Sequence, residues 1–402
     1  MSPLESGRAG WHRRAALLPV GYLGALVVLA FAHPFVPAWR WLAIHLLLLG
    51  AVTNAIVVWS AHFTAAVLHV PAPAHHRGEI LRLVVLNAGV IAVFIGGGGD
   101  QPWVGVGGAV AVFAAIAAHL GWLTARLRSA LPARFVVTVR YYRAGASALL
   151  TGIPAGAWML VADAPLRTRI LLFHAHINLL GWVMLTVLGT ALTLWPTVLR
   201  TRMDSAAVRA AHLALPIAVT AIGLLAVGVL AWWPSIAVSG LVLFATAVVV
   251  TAVPAVRAAR HKPPESFAAW SIAAGTGWLL VALVVDASTL STAGSPDAAA
   301  DRFGSVLTPL LLGSVAQILL GALAYLLPMT LGGGPARVRE RTAALDRHWP
   351  QRLATTNAAL VVLLLPTGPY VRIALSFLLL ASLVQLLLPV LRILLTDRRR
   401  PA

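Results

Sequence analysis

The sequence predicts an all-α polytopic membrane protein with about twelve transmembrane helices. Three observations carry that prediction. Of its 402 residues 60% are hydrophobic and 10% charged, whereas a soluble domain carries roughly a quarter charged residues. Apolar runs of about eighteen residues or more recur along the whole chain, each long enough to cross a bilayer. The runs are continuous rather than alternating, which excludes a β-barrel.

In chain order the spans fall at 15–32, 41–68, 80–96, 103–125, 138–162, 168–195, 208–232, 235–256, 267–287, 304–329, 353–366 and 370–395. The first, "WHRRAALLPVGYLGALVVLAFA", also has the form of a signal peptide with "AFA" as its cleavage site. The repeat described below favours retaining it as a helix. The eleventh is short, and Pro366 and Pro369 break it from the twelfth. "LGGGP" (331–335) has neither the preceding strand nor the following Lys-Ser/Thr of a phosphate loop and reads as a turn closing span 10. Gly-rich "GGGGD" (96–100) falls at a loop.

Charge sets the orientation. Alternate connections carry 25 of the 30 Lys and Arg, Arg398 to Arg400 at the C-terminus among them, and leave Arg40, Arg167, Arg169, Arg302 and Arg372 for the other side. The positive-inside rule then places both termini inside, in a multi-pass protein of the cytoplasmic membrane. Because the basic residues punctuate the spans, the net charge of +18 does not mark a nucleic-acid binder. The basic stretch 333–352 suits anionic lipid or a partner. There are no cysteines. That excludes disulfides, iron–sulfur clusters, covalent c-type haem and thiolate-bridged copper, and leaves His, Met and oxygen as metal ligands.

The chain repeats itself. "HLLLLGAV" (45–52), "HINLLGWV" (176–183) and "TPLLLGSV" (308–315) share L-L-G-x-V. Their anchoring glycines, Gly50, Gly181 and Gly313, are almost evenly spaced. Gly189 and Gly321, then Pro196 and Pro328, follow their anchors at equal offsets. This implies one transmembrane domain over 1–402, built from three four-helix units at approximately 1–135, 136–265 and 266–402. Asn54 and Gln317, four residues beyond their glycines, are candidate hydrogen-bonding positions shared by the repeat.

"FHAHINLLGW" (173–182) places His174 and His176 in an apolar span. Residues two apart lie about 200° apart around a helix, so either the two rings serve different sites or one of them is structural. His45 and His176 each stand five residues before an anchoring glycine; the third unit has Thr308 there. Two imidazoles at equal depth near the outer ends of spans 2 and 6 suit the axial pair of a haem b. Arg40, Arg167 and Arg169, close by in sequence, are candidate propionate anchors. His62 and His119, in spans 2 and 4, are secondary candidates, and the structural reading of each as a hydrogen-bonded interior His is the favoured one. No acidic residue lies in the middle of a span.

"HAHINLLGWVMLTVLGTALTLWP" resembles the tenth helix of haem–copper oxidase subunit I, most closely the cytochrome cbb type, where H-x-H is followed after four residues by Gly and an aromatic. The resemblance implies that His174 takes a high-spin haem or a metal and His176 a low-spin haem. It also implies twelve helices in three arcs, with haems toward the outer side. "VTNAI" (52–56) resembles that family's second helix, except that Val52 replaces the His before Thr-Asn-Ala. Here H-x-H falls in span 6, and neither an adjacent His-His pair nor His-x-x-x-Tyr is present. A looser similarity extends to the NnrS family of haem- and copper-containing twelve-span proteins and to actinobacterial membrane proteins labelled copper oxidase.

The resulting expectation is a membrane haem b redox protein. A low-spin haem would lie between His45 and His176, with His174 offering a second haem or copper site. Its work would be electron transfer or chemistry on NO or O₂, fed by a cupredoxin or cytochrome on the outer face, without proton-pumping oxygen reduction. The alternatives are a copper-handling protein using His45, His174 and Met184, and a transporter or structural subunit without a cofactor.

Overall fold

The computed structural model describes residues 3–70, 76–99, 101–162 and 166–396. Arg398 to Arg400 and Asp100, used in the charge and loop assignments above, lie outside them. Every regular element among the described residues is helical. In order these are α1 (Pro3–Ala32), α2 (Trp39–Val67), α3 (Arg77–Gly98), α4 (Pro102–Ser129), α5 (Val136–Val161), α6 (Arg167–Val198) and α7 (Ala207–Ala231). There follow α8 (Pro234–His261), α9 (Phe267–Thr292), α10 (Pro296–Thr330), α11 (Gly334–Asp346), α12 (Trp349–Leu363) and α13 (Pro369–Thr396). A single 3₁₀ turn, His33–Phe35, follows α1. Proline opens α4, α8, α10 and α13, where its missing N–H has no intrahelical partner to lose.

Among the described residues eleven helices are long and apolar enough to cross a bilayer. They coincide with eleven of the predicted spans, and the chain is an all-α polytopic membrane protein. The remaining span, 353–366, is α12, a helix of 15 residues. At 1.5 Å per residue it reaches about 22 Å, short of the roughly 30 Å hydrocarbon layer. Between α10 and α11 the turn reading holds: Gly332, Gly333 and Gly334 have φ of 62°, 89° and 84°, a run that only glycine adopts without strain. Beyond it, the basic stretch forms α11.

The three L-L-G-x-V segments share a local form. Leu46–Val52, Ile177–Met184 and Thr308–Ala316 are each π-helical, within α2, α6 and α10 respectively. π turns are rare, and they recur at functional positions. Each anchoring glycine lies under a neighbour: a Cβ on Gly50, Gly181 or Gly313 would stand 2.6 Å from Tyr22 of α1, Ala148 of α5 or Trp278 of α9. Asn54 Nδ2 donates to the Gly50 carbonyl at 2.8 Å and Gln317 Nε2 to the Gly313 carbonyl at 2.9 Å.

The chain forms two compact units. Unit 1 comprises Met1–Ala55, Pro264–Ala282 and Ser305–Ala402; unit 2 comprises Ile56–Pro263 and Leu283–Gly304. In unit 1, Asn357 of α12 accepts from Trp278 Nε1 at 2.6 Å and pairs its amide with that of Gln317 at 3.2 Å both ways. In unit 2, Tyr141, Tyr142, Leu172, Met184, Leu225 and Phe244 are fully buried. The large apolar side chains left exposed, such as Val84, Ile91 and Ile95 on α3, face where lipid would lie.

Helices α3 and α4 approach through glycines. A Cβ on Gly108 would stand 2.6 Å from the Gly89 carbonyl oxygen and from the Val93 nitrogen, whereas one on Gly107 meets no atom within 4 Å. Backbone cannot yield as a side-chain tip can. Gly108→Ala should therefore lower stability by about 1–3 kcal/mol and Gly107→Ala should not. Thermal unfolding of the two purified variants in detergent checks this.

Candidate functional site

Helix α6 carries the paired histidines. Its first turn serves helix ends, since a cationic side chain can cap the last carbonyls of a helix. Arg167 Nη1 donates to the Met159 and Ala162 carbonyls at 2.6 and 2.9 Å, closing α5. Arg169 Nη1 donates to the Leu230 carbonyl at 3.3 Å, closing α7. Thr168 Oγ1 donates to Asp297 at 2.6 Å. Arg40 in unit 1 lies 5.3 Å from the Trp39 ring centroid. Of the three arginines expected at propionates, Arg40 and Arg167 are exposed and Arg169 is half-buried, and those of α6 hold helix ends.

His174 and His176 meet different helices, as their spacing requires. The His174 ring lies against Gly156 of α5, where a Cβ would stand 2.7 Å from its Cε1. Its Nδ1 is 2.9 Å from the Gly152 carbonyl oxygen, and Asn178 Nδ2 approaches the same ring at 3.3 Å. His176 turns toward α9 and α10. Its Nε2 is 2.8 Å from Oδ2 of Asp286, and its ring centroid is 5.2 Å from that of Phe303. The pair is buried, His176 at 4% and Asp286 at 2% exposure.

The bonding inventory of this pair restricts its protons. His176 Nδ1 lies 2.6 Å from the Leu172 carbonyl oxygen, which can only accept, so Nδ1 carries a hydrogen. Nε2 then either donates to a carboxylate, as imidazolium, or accepts from a protonated Asp286. Both forms hold one proton on the Nε2–Oδ2 line and are net neutral. Removing that proton sets a lone pair against a carboxylate; adding another leaves an uncompensated cation. Asp286 Oδ1 is buried and has no hydrogen-bond partner among the described residues.

Asp286 is the residue that reading the sequence missed: no acid lies in the middle of a span, and Asp286 lies toward the end of its own. Hydropathy ends span 9 at 287, which leaves Asp286 at a margin. The helix instead runs on to Thr292, with hydroxyls near its end bonded back to carbonyls one turn earlier. Thr289 Oγ1 donates to the Val285 carbonyl at 2.8 Å and Thr292 Oγ1 to that of Ser288 at 2.7 Å. That extension puts Asp286 well inside the helix.

The other candidates are dispersed. His45, in unit 1, has Nδ1 2.8 Å from the Trp41 carbonyl oxygen and its ring stacked on Trp41 at 4.2 Å. His62 packs edge-on against Trp59 and Phe63 at 5.6 and 5.7 Å between centroids. His119 meets Ser60 at 2.9 Å. Met184 is fully buried. Among the described residues no three His, Cys, Asp or Glu side chains gather as a metal site would need.

Fold and site together define a polytopic helical membrane protein with an ionisable pair buried among its spans. No protein-family profile matches the chain, and no curated protein matches it.

Replacing Asp286 by Ala strands His176 Nε2 in an apolar interior and should destabilise the protein by about 1–3 kcal/mol. Asp286→Asn keeps a hydrogen-bonding group at the same place, its amide N–H able to donate to Nε2, and should lose less. The order of the two melting temperatures is the measurement; an Ala variant as stable as wild type would show that the pair contributes nothing to the fold.

Proposed function

We propose that this is a proton-coupled membrane protein in which His176 and Asp286 hold the working proton. The carrying observation is the 2.8 Å contact between Nε2 and Oδ2, buried among membrane-crossing helices. Ionisable groups placed there are costly and belong to proton relays and ion pathways. Because the pair is neutral with one proton, any gain or loss creates a charge in a buried site, with Phe303 beside His176. Such a charge is tolerated only with a compensating one nearby, an ion or an electron. That requirement couples proton movement to transport or to redox chemistry. Infrared difference spectroscopy on the purified protein through a pH step tests it. A carboxyl band is expected that disappears in Asp286→Asn and shifts in His176→Gln. Identical spectra in all three proteins would refute the reading.

A second reading is the haem b redox protein, in the cytoplasmic membrane, served by a cupredoxin or cytochrome donor. One observation favours it. His45 and His176 each have Nδ1 on the carbonyl four residues back in their own helix, at 2.8 and 2.6 Å. That contact orients an imidazole and leaves Nε2 to meet a metal. The resemblance of "HAHINLLGW" to the haem-binding helix points the same way. The tautomer of His176 suits an axial ligand, but its Nε2 is engaged by Asp286, so ligation requires that carboxylate to withdraw. In this reading His174 holds the second haem or copper, and the group's chemistry when bound is one-electron transfer. The reduced-minus-oxidised spectrum with a pyridine haemochrome assay separates the readings. A b-type signal lost in His176→Ala supports haem; a protein free of iron and of visible absorption removes it.

A further inference from the structure

A second polar cluster lies in unit 2, at the end where α3 begins and α4 ends. It is separate from His176 and Asp286 and does not depend on either reading above. Four helices build it. Ser60 and Thr64 stand one turn apart on α2, Arg82 on α3, His119, Trp122 and Arg126 on α4, and Arg143 on α5. Ser60 Oγ and His119 Nε2 join α2 to α4 at 2.9 Å. The Arg82 and Arg126 guanidiniums lie 5.3 and 5.6 Å from the Trp122 ring centroid, and the Trp122 ring runs nearly parallel to that of His119, 6.3 Å away. Arg143 Nε donates to Thr124 Oγ1 at 3.1 Å, adding α5.

Arginines at span ends are ordinary topology signals and meet lipid headgroups without any built site. That accounts for Arg126 and Arg143. It does not account for what lies beneath them. His119 is 1% and Thr64 0% exposed, yet His119 Nδ1, Thr64 Oγ1 and Arg82 Nε have no hydrogen-bond partner among the described residues. Leaving one such atom unsatisfied costs about 1–3 kcal/mol, so three in one corner call for acceptors that the described residues do not supply. Arg82 Nε can only donate and the Thr64 hydroxyl can donate. When Ser60 donates to His119 Nε2, His119 Nδ1 carries a hydrogen and is a third donor. Glu79, the acid that acts electrostatically on Arg82, has a carboxylate oxygen on His76 Nδ1 at 2.6 Å. The corner therefore offers donors and positive charge.

We propose that Arg82, Arg126, His119 and Thr64 bind a phosphate-type anion. A tetrahedral oxyanion presents oxygens in several directions, which suits donors that arrive from three helices; guanidinium–phosphate bonds are charge-assisted and among the strong ones. An anionic phospholipid headgroup and free phosphate share this chemistry.

The test is thermal unfolding of the full-length protein in uncharged detergent, titrated with inorganic phosphate, with short-chain phosphatidylglycerol, or with sodium chloride at matched ionic strength. A saturable rise in melting temperature is expected with phosphate or with phosphatidylglycerol and not with chloride. A response to the lipid alone identifies a headgroup site, and a response to phosphate identifies a free-anion site; both support the proposal. Arg82→Gln and His119→Gln should weaken the apparent affinity about tenfold or more, and Thr64→Val, nearly isosteric, by a smaller factor. Arg260→Gln, at the end of α8, should leave it unchanged. If either glutamine variant does not fold, Thr64→Val and Arg126→Gln still report. No saturable response to phosphate or lipid, or a response equal in wild type and all cluster variants, overturns the proposal.

Discussion

In hydrocarbon a polar group has only the protein to bond to. This constraint organises the structure at every level. It makes every regular element a helix, and it decides what polar side chains inside the spans can do. Most of them bond to the carbonyl one turn back in their own helix: Thr186 to Trp182 at 2.8 Å, Asn87 to Leu83 at 2.7 Å, Thr251 to Ala247 at 3.2 Å. Such residues are solved locally and ask nothing of the fold. The informative ones cannot be solved that way. His176 uses Leu172 for one nitrogen, and its other nitrogen must find a partner on another helix.

The π segments follow from the same pressure. A turn closed by i→i+5 bonds is wider and holds its carbonyls less regularly than an α turn. In α2 and α10 a side-chain amide, Asn54 or Gln317, covers the anchoring glycine's carbonyl. In α6 the equivalent position is Leu185, and Thr186 instead bonds Trp182. The glycine permits close contact with the neighbouring helix, and the wider turn rotates the residues before it relative to those after it. In α2 and α6 the residue immediately before the π segment is a histidine, His45 or His176. A rotation there sets where an imidazole points relative to the rest of its span, and this connects an L-L-G-x-V motif in the sequence to the geometry of a site.

Much of the fold was legible because its governing signals are local. Eleven span positions follow from hydropathy and length alone, and the Gly332–Gly334 turn follows from residue type. Asn54 and Gln317 were recognisable as hydrogen-bonding positions by their offset from glycine. The margins were less legible. The span at 353–366 is short already in the sequence, and Pro366 and the turn at Leu364–Leu365 stop α12 at 15 residues, too few to cross the bilayer. Asp286 looked peripheral because Ser288, Thr289, Ser291 and Thr292 lower the hydropathy after it, although the helix continues through all four. Arg167 and Arg169 looked like anion anchors because sequence shows only their nearness to His174; that Arg167 closes the preceding helix and Arg169 the end of α7 depends on how those helices end and pack.

By itself, then, the amino-acid order settled the class of protein, the helical spans and the opposed directions of His174 and His176. Each depends on a property that repeats within one helix: run length, residue type or angular step. Tertiary structure alone decided the partners. That His174 meets Gly152 while His176 meets Asp286, 110 residues distant, is a matter of which helices pack together. Packing is set by side-chain shape summed over whole faces, and no single stretch of sequence records it.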